Sequence, residues 1–425
     1  MQKNNILNSP PGMKSYLPDS ATEFREIRAK IREIFQTWGY RSIITPLLEY
    51  YDSLLTGMGQ HTKKEFYKMI DYDGNILALR PEMTAPIART IAHRMEDLTL
   101  PLRLSYFAPV YRYDSPQVGK YREIYQMGLE FIGHNSLSDA EVIIIAIEAI
   151  KNTGLKNFKI DLGHTGFIDG IINELRLTED KASKLKSLLN KKDFVGIDEY
   201  ISSLNVSNIS LLKNILRLRG DKEVLDRANE MVSNEQSLQA LNELQALFNS
   251  LEKYDVAENV NFDLSLNRGF NYYTGIVFEG FTGKLGYTIC GGGRYDNLLH
   301  KYGAGKIPAV GFAIGIERLR IALQNQGYEF EQQPVDGIIL YNAEDGGDLA
   351  LSITKMMHKR NLKVMLKEDT DLEKYITKCR QENIAKIISL LDIENGKIYI
   401  KNVKSGVVET IIQKEGWEDK LWKVW

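Results

Sequence analysis

Two neighbouring stretches, residues 102–113 (LRLSYFAPVYRY) and 122–133 (REIYQMGLEFIG), have the composition and length of β-strands. The polar loop between them is short, so they are predicted to pair as an antiparallel hairpin. Polar side chains that can hold a ligand, Arg112, Gln126 and Glu130, lie on this pair. The chain is therefore expected to build an antiparallel sheet that carries its site residues.

Helices are predicted on either side of this hairpin. Ser20 and Glu23 form a capping-box pattern before residues 21–38, which place apolar residues at helical spacing. Ser138 and Glu141 repeat the pattern before AEVIIIAIEAI, whose nearly continuous apolar surface predicts packing under a sheet. The predicted fold class is α+β, an antiparallel sheet flanked by helices.

Strand signals dominate residues 41–80, where Asp73 and Gly74 are predicted to form a hairpin turn. They return at VNFDLSL, from residue 260 onwards. The stretch LRLRGDKE near Arg217 is interpreted as a solvated helix end, and GGGRYDNL, residues 291–298, as a ligand-side or purely structural turn. The two halves of the sheet are thus separated in the sequence.

The chain is too long for one hydrophobic core, because its 425 residues exceed the roughly 250 to 300 residues at which single cores stop growing. Residues 166–257 are rich in helix formers and are predicted to be a helical insertion. This insertion would split a core made of residues 1–165 and 258–328. Alternating strand and helix signals predict a small α/β domain at residues 334–425.

Charge and cysteine usage restrict the partners. The chain has 54 basic and 56 acidic residues, a formal net charge of −2, so no overall cationic field attracts nucleic acid or anionic lipid. Cys290 and Cys379 show neither disulfide nor metal-ligand spacing, which fits a reducing cytoplasm. His134 and His164 are expected to be turn or surface residues, and neither a metal nor a cofactor is expected. No signal peptide or membrane span is predicted.

Three further motifs carry chemistry. RPEMT, residues 80–84, contains Glu82 and Thr84. NRGFNYYTGIVFEGF begins with Asn267 and contains Arg268. GFAIGIERL, residues 311–319, contains Arg318. Arginine binds carboxylate or phosphate with a planar fork and keeps its charge. The glycines of GFAIGIERL, Gly311 and Gly315, are expected to let the backbone approach a ligand.

Together with the hairpin, these motifs resemble those of histidyl-tRNA synthetase and of its paralogue, the regulatory subunit of ATP phosphoribosyltransferase. The resemblance spans nearly the whole chain and implies a class II aminoacyl-tRNA synthetase-like fold. It implies a histidine site at Glu82, Thr84, Arg112, Gln126, Glu130, Arg268, Tyr272 and Tyr273, of which Tyr272 could be core packing. It also implies a vestigial nucleotide-phosphate site at Arg112, Asp114 and Arg318.

Departures from the synthetase pattern favour the paralogue. Met83 replaces the glycine of RPEGT, and Ile124-Tyr125 replaces a Phe-His pair whose phenylalanine stacks on adenine. Ser115 stands where an arginine is usual and Asn271 where an aspartate is usual. Losing an aromatic platform weakens nucleotide binding by about 0.5 to 1.5 kcal/mol beyond area burial.

The C-terminal domain gives an independent test, because an anticodon-binding module needs positive charge. Residues 334–425 contain fifteen Lys or Arg and fifteen Asp or Glu, so 15 − 15 = 0. KEDTDLEKYITK places four acids between Glu368 and Glu373, where synthetases carry a segment rich in glycine and lysine. Many regulatory subunits lack this domain, which is the main point against the paralogue; we interpret it as a retained module with eroded RNA contacts.

The sequence therefore predicts a non-catalytic regulatory subunit, without nucleic-acid or membrane partners. The resemblance implies that it assembles with a short-form ATP phosphoribosyltransferase catalytic subunit, which joins ATP and phosphoribosyl pyrophosphate in the first step of histidine biosynthesis. It also implies a hetero-oligomer built on a class II-type dimer, with histidine as allosteric effector. The alternatives are an active histidyl-tRNA synthetase and a stand-alone histidine-binding or protein-interaction module.

Overall fold

The computed structural model describes residues 7–113, 121–190, 192–204, 209–268, 272–283, 288–331 and 335–425. The chain divides into two compact units, one up to Phe330 and one from Glu331 onwards. Whether the helical segment within the first unit forms a domain of its own stays a prediction.

The first unit contains the helices α1 to α12 and the strands β1 to β12. The helices are α1 (Pro18–Thr37), α2 (Tyr51–Met58), α3 (Thr84–His93), α4 (Ser138–Asn152), α5 (Thr165–Glu174), α6 (Glu179–Asn190), α7 (Phe194–Ser203), α8 (Ile209–Ile215), α9 (Glu223–Met231), α10 (Glu235–Lys253), α11 (Leu298–Lys301) and α12 (Ile316–Asn325). The strands are β1 (Arg41–Ser42), β2 (Leu48–Tyr50), β3 (Lys68–Ile70), β4 (Ile76–Leu79), β5 (Leu102–Tyr111), β6 (Glu123–Ile132), β7 (Lys159–His164), β8 (Arg219–Gly220), β9 (Val260–Asp263), β10 (Ile276–Phe281), β11 (Cys290–Arg294) and β12 (Ala309–Gly315). Short 3-10 helices lie at Gln60–Lys64, Met95–Asp97 and Ala257–Asn259.

A nine-stranded sheet in the order β1-β5-β6-β12-β11-β10-β7-β9-β8 forms the centre of this unit. The strands from β5 to β7 in that order are all antiparallel, whereas β1 joins β5 and β9 joins β7 in parallel. The predicted hairpin is confirmed, since β5 pairs with β6 over ten residues from Leu102 opposite Ile132 to Tyr111 opposite Glu123. The α+β fold class is confirmed as well.

The helices α1 and α4 cover one surface of the sheet. Ile27 and Ile31 of α1 and Ile143 and Ile147 of α4 are fully or almost fully buried in the main apolar core. The predicted packing of α4 under the sheet is therefore confirmed. On β6, Leu129 belongs to this core, while its neighbours in sequence face the opposite side, because side chains alternate along a strand.

The two predicted capping boxes are wrong, because tertiary contacts take the side chains. Helix α1 begins at Pro18, and its N-cap residue makes no side-chain cap. In α4, the Ser138 hydroxyl accepts a hydrogen bond from Arg294 at 3.0 Å, and the Glu141 carboxylate binds Arg103 at 2.8 Å. At Ser138 and at Glu141, an arginine from a strand of the sheet therefore binds the side chain in place of the local backbone.

Three further local predictions meet different outcomes. The turn at Asp73-Gly74 is confirmed, with Gly74 at φ +83° between the paired strands β3 and β4. The helix α2 lies where strands were expected. Residues 219–220 form the edge strand β8, rather than a solvated helix end.

The second unit is a five-stranded sheet in the order β14-β13-β15-β16-β17. Its elements are β13 (Gly337–Tyr341), α13 (Gly347–His358), β14 (Val364–Glu368), α14 (Leu372–Gln381), β15 (Lys386–Asp392), a 3-10 helix (Ile393–Asn395), β16 (Lys397–Asn402), β17 (Val408–Ile412) and α15 (Trp417–Val424). The predicted alternation is confirmed up to β15, with β14 and β15 both parallel to β13. The antiparallel extension by β16 and β17 and the helix α15 were not predicted.

Of the two histidines singled out, only one matches its prediction. His134 is exposed after β6, as expected. His164 is buried at the end of β7, where Nδ1 accepts from the Gly166 amide and Nε2 lies 3.0 Å from Glu243. Among the residues that the structure describes, no group of His, Cys, Asp and Glu could hold a metal ion, and no helix is long and apolar enough to cross a membrane.

Candidate ligand-binding site

Glycines on three adjacent strands make the floor of the candidate site. A Cβ atom on Gly311 would lie 1.7 Å from Glu130 Oε2, and one on Gly291 would lie 1.7 Å from Arg268 Nη1. A Cβ atom on Gly128 would lie 2.5 Å from the Tyr106 hydroxyl. Large polar side chains therefore lie flat on the sheet. This glycine floor corrects the expectation for Gly311, which makes room for a protein carboxylate rather than for a ligand.

Glu130 connects the floor to the RPEMT segment. The Thr84 hydroxyl donates to Glu130 Oε1 at 2.8 Å, and the Tyr295 hydroxyl binds Oε2 through a short hydrogen bond. Glu130 is 1% exposed. Two hydroxyl groups thus fix a carboxyl group that faces the interior of the site.

Glu82 is the second buried carboxylate. Its two oxygens accept hydrogen bonds of 2.7 Å from the backbone amides of Thr84 and Ala85, at the start of α3. The positive end of a helix stabilises such a charge. The Tyr272 hydroxyl lies 3.5 Å from Glu82 Oε2, which ties this carboxylate to the NRGFNYYTGIVFEGF segment.

Burial changes the acidity of both carboxyl groups. It raises the pKa of Glu130 to about 8, against the opposing effect of the hydrogen bonds from Tyr295 and Thr84. Burial also raises the pKa of Glu82, while its amide hydrogen bonds and the charge of Arg112 oppose the change. Near neutral pH, the Glu130 carboxyl therefore favours its protonated form.

Two arginines hold the RPEMT segment against β5. Arg80 is buried and donates to the carbonyl oxygens of Thr45, Pro46 and Pro109 at 2.8 to 3.1 Å. Arg112 Nε donates to the Pro81 carbonyl oxygen at 2.8 Å. Arg80 therefore has a structural role, and Arg112 lies beside Glu82.

Arg268 lies on the other side of the floor. Its Nη1 donates to the Phe278 carbonyl oxygen at 3.0 Å and lies 3.3 Å from Glu279 Oε1. The Tyr273 ring is 5.7 Å from the guanidinium carbon and 4.8 Å from the ring of Tyr272. Buried Tyr272 thus packs beneath the more exposed Tyr273.

The remaining predicted residues extend the site along the sheet. Gln126 lies on the same side of β6 as Glu130, about 13 Å away along the strand, and pairs with Gly315. Arg318 donates to the carbonyl and hydroxyl oxygens of Thr288 at 2.8 and 3.2 Å, near the Gly315 end of the sheet. Asp114, Ser115 and Asn271 lie outside the described residues.

Residues at the proposed adenine position face two cores. Ile124 is partly buried against an apolar cluster on the same side of the sheet as the site, and this cluster includes Met83, which is 1% exposed. Tyr125 faces away from the site, where it stacks on Phe107 with ring centres 5.7 Å apart. Met83 is thus a buried packing residue.

Sequence reasoning missed three residues of this cluster: Tyr106, Glu279 and Tyr295. GGGRYDNL was interpreted as a turn, whereas its first half forms β11 and its Tyr295 binds Glu130. Three consecutive glycines in a strand, followed two residues later by a tyrosine, were the available signal of a floor with a hydroxyl at its edge.

Several proteins of known name are similar in sequence to this chain. A family model described as Histidyl-tRNA synthetase matches residues 12–319. A curated relative from Halothermothrix orenii, named ATP phosphoribosyltransferase regulatory subunit, is 51% identical over 408 residues, which cover 95% of this chain and 96% of the relative. The chain belongs to the histidyl-tRNA synthetase-like family of ATP phosphoribosyltransferase regulatory subunits.

Other members of this broader family agree with the fold. A Bacillus halodurans crystal structure titled ATP phosphoribosyltransferase regulatory subunit/histidyl-tRNA synthetase is 33% identical, with a TM-score of 0.78, and covers 90% of this chain and 98% of its own. Histidyl-tRNA synthetase from Nostoc sp. PCC 7120 has the same TM-score at 22% identity and covers 98% of this chain and 99% of its own, which shows the shared fold alone. The class II synthetase-like fold expected of this regulatory-subunit family is confirmed.

Removing the Tyr295 hydroxyl should weaken the site measurably. Tyr295→Phe leaves the buried Glu130 carboxyl without its short hydrogen bond, which we expect to lower the free energy of unfolding by about 1.5 kcal/mol. Tyr106→Phe is the matched control, because the Tyr106 hydroxyl is also buried but lies 3.4 Å from its acceptor, the Phe312 carbonyl. Urea unfolding of the two variants measures the difference, and equal losses would contradict the assignment.

Proposed function

We propose that this chain is the non-catalytic regulatory subunit of ATP phosphoribosyltransferase. It acts in the cytoplasm with a short-form catalytic subunit in the first step of histidine biosynthesis, and it carries the feedback control by histidine. The observation that carries the proposal is the 51% identity to a named regulatory subunit over 95% of the chain.

The geometry of the site supports histidine as the ligand. A histidine zwitterion needs acceptors for its ammonium and imidazole groups and a cation for its carboxylate. Glu82, Glu130 and Thr84 offer the acceptors, and Arg268 offers the cation beside the ring of Tyr273. Gln126 and Arg112 extend the polar wall at one end. The allosteric step requires that histidine binds one state of the assembly more tightly than another.

The nucleotide side of the site supports the non-catalytic role. Ile124 occupies the position of the adenine-stacking phenylalanine, and Tyr125 is held in the opposite core. Arg112 and Arg318 remain as the vestigial phosphate site, together with Asp114. The C-terminal unit, without excess positive charge, favours a chain that does not bind transfer RNA.

An exposed apolar surface supports self-association. The three-stranded sheet β2-β4-β3 and the segment before it carry several exposed large apolar side chains, among them Ile44 at 94% and Tyr72 at 105% exposure. Apolar patches of this kind mark interaction sites. We propose this surface for the class II-type dimer within the hetero-oligomer.

An active histidyl-tRNA synthetase is the second candidate. A Methanocaldococcus jannaschii protein named Histidine--tRNA ligase is 35% identical over 329 residues, which cover 77% of this chain and 78% of that protein. Arg112, Arg268 and Arg318 are all present in this chain. Histidine-dependent ATP–pyrophosphate exchange by the purified chain would favour this function over the first.

Mixing the purified chain with a short-form catalytic subunit tests the proposal. We expect phosphoribosyl-ATP formation to rise at least tenfold over the catalytic subunit alone, and added histidine to suppress it. As a control, the Tyr254→Phe variant should behave like the unaltered chain, because the hydroxyl that it removes binds Glu148 at the protein surface. No stimulation, combined with rapid pyrophosphate exchange, would overturn the proposal.

A further inference from the structure

Three acidic residues lie close together on adjacent strands of the sheet, in the region next to Arg268. Asp263, Asp161 and Glu279 lie on the adjacent strands β9, β7 and β10, and Asp161 is directly opposite Glu279 in the register. Asp161 and Asp263 are 1% and 4% exposed. Buried carboxylates of like charge need cations close by.

The cations come from two different parts of the chain. Lys192 Nζ lies 3.5 Å from Glu279 Oε2 and 3.9 Å from Asp263 Oδ2, and Arg219 forms a short ion pair with Asp161. Both belong to the helical segment. Arg268, from the candidate site, lies 3.3 Å from Glu279 Oε1.

Glu279 is therefore shared between the helical segment and the site. Each of its oxygens faces a different cation, Lys192 on one side and Arg268 on the other. The Lys192 ammonium also lies 4.6 Å from the centre of the Phe281 ring. Lysine at this position has φ +53°, a left-handed conformation that glycine adopts at lower cost, so the position supplies a side chain at the expense of backbone strain.

We infer that Lys192, which lies between α6 and α7, is a positioning residue for Arg268 and so influences the histidine site. With Lys192 in place, the charge of Glu279 is divided between two cations, and Arg268 keeps part of its positive charge for a ligand carboxylate. Without the Lys192 ammonium, the whole charge of Glu279 acts on Arg268, and the affinity for the carboxylate falls. This inference deepens the proposed function and rests on histidine binding at this site.

Calorimetric titration of the full chain with histidine and with histamine tests the inference, because histamine lacks the carboxylate. We expect Lys192→Met to weaken histidine binding about fivefold, within the usual range of coupling between sites. Histamine binding should change less than twofold, and Lys192→Arg should restore the affinity for histidine. Lys186→Met is the matched control, since Lys186 forms an ion pair with Asp169 on the same helical segment without contact to Glu279.

The outcomes separate the two claims. If the unaltered chain binds no histidine, the proposed function fails before Lys192 is tested. If it binds histidine and Lys192→Met binds both ligands as before, the positioning role is wrong. Equal losses for histidine and histamine would also overturn it, because they indicate a general structural defect. In an Arg268→Met background, Lys192→Met should have no further effect on histidine.

Discussion

Replacing Gly311 with alanine is expected to lower the free energy of unfolding by about 3 kcal/mol, at the upper end of the usual cost of overpacking. The added Cβ atom would lie 1.7 Å from Glu130 Oε2 and 2.5 Å from the Leu129 carbonyl oxygen. Glu130 cannot move aside freely, because Thr84 and Tyr295 hold both of its oxygens. Urea unfolding at constant pH measures the loss.

Gly315→Ala is the matched control on the same strand. Its Cβ atom would meet no atom closer than 3.8 Å, so its free energy of unfolding should change by less than about 0.5 kcal/mol. Similar losses in the two variants would mean that contact with Glu130 is not the cause.

Glu130→Gln should become more stable relative to the unaltered chain as the pH rises from acid to alkaline. The pKa of Glu130 is raised to about 8 in the folded chain, so the unfolded chain gives up this proton at lower pH than the folded one. The stabilising contribution of the protonated carboxyl is complete below the unfolded pKa of about 4.3. It is lost as the pH rises through the folded value.

Glutamine has the same shape and never ionises. Relative to the unaltered chain, the variant should therefore gain on the order of 3 kcal/mol in free energy of unfolding between pH 5 and pH 8. Urea unfolding at several pH values measures this gain. Glu258→Gln is the control, because that side chain is 75% exposed. Parallel curves for the unaltered chain and Glu130→Gln would show that burial does not control this carboxyl group.

Patterns that depend on neighbouring residues were predicted well from the sequence. The β5–β6 hairpin and the turn at Asp73-Gly74 follow from strand periodicity and glycine chemistry, which are local. The capping box of α4 failed because Arg103 and Arg294, distant in sequence, bind the side chains that would have capped that helix. At α1, Arg320 binds Ser20 and Glu23 in the same way. Helix α2 was missed because a short, mainly apolar segment between two strands has no distinct period.

The candidate site was predicted in part for the same reason. Glu82, Thr84 and Glu130 were found through their motifs, and the structure brings these three together through hydrogen bonds. Tyr295 and Glu279 were missed, because their roles depend on which strands are adjacent in the sheet. The order β6-β12-β11-β10 cannot be obtained from periodicity alone.

The glycine floor restricts how this pocket can be altered by evolution or by design. Every substitution at Gly128, Gly291 or Gly311 adds at least one carbon atom where a neighbouring polar atom already lies within 2.5 Å. Single mutations of the floor therefore have no conservative option. A library that seeks a new ligand preference should keep these glycines constant and diversify the walls, at Thr84, Gln126 and Tyr273.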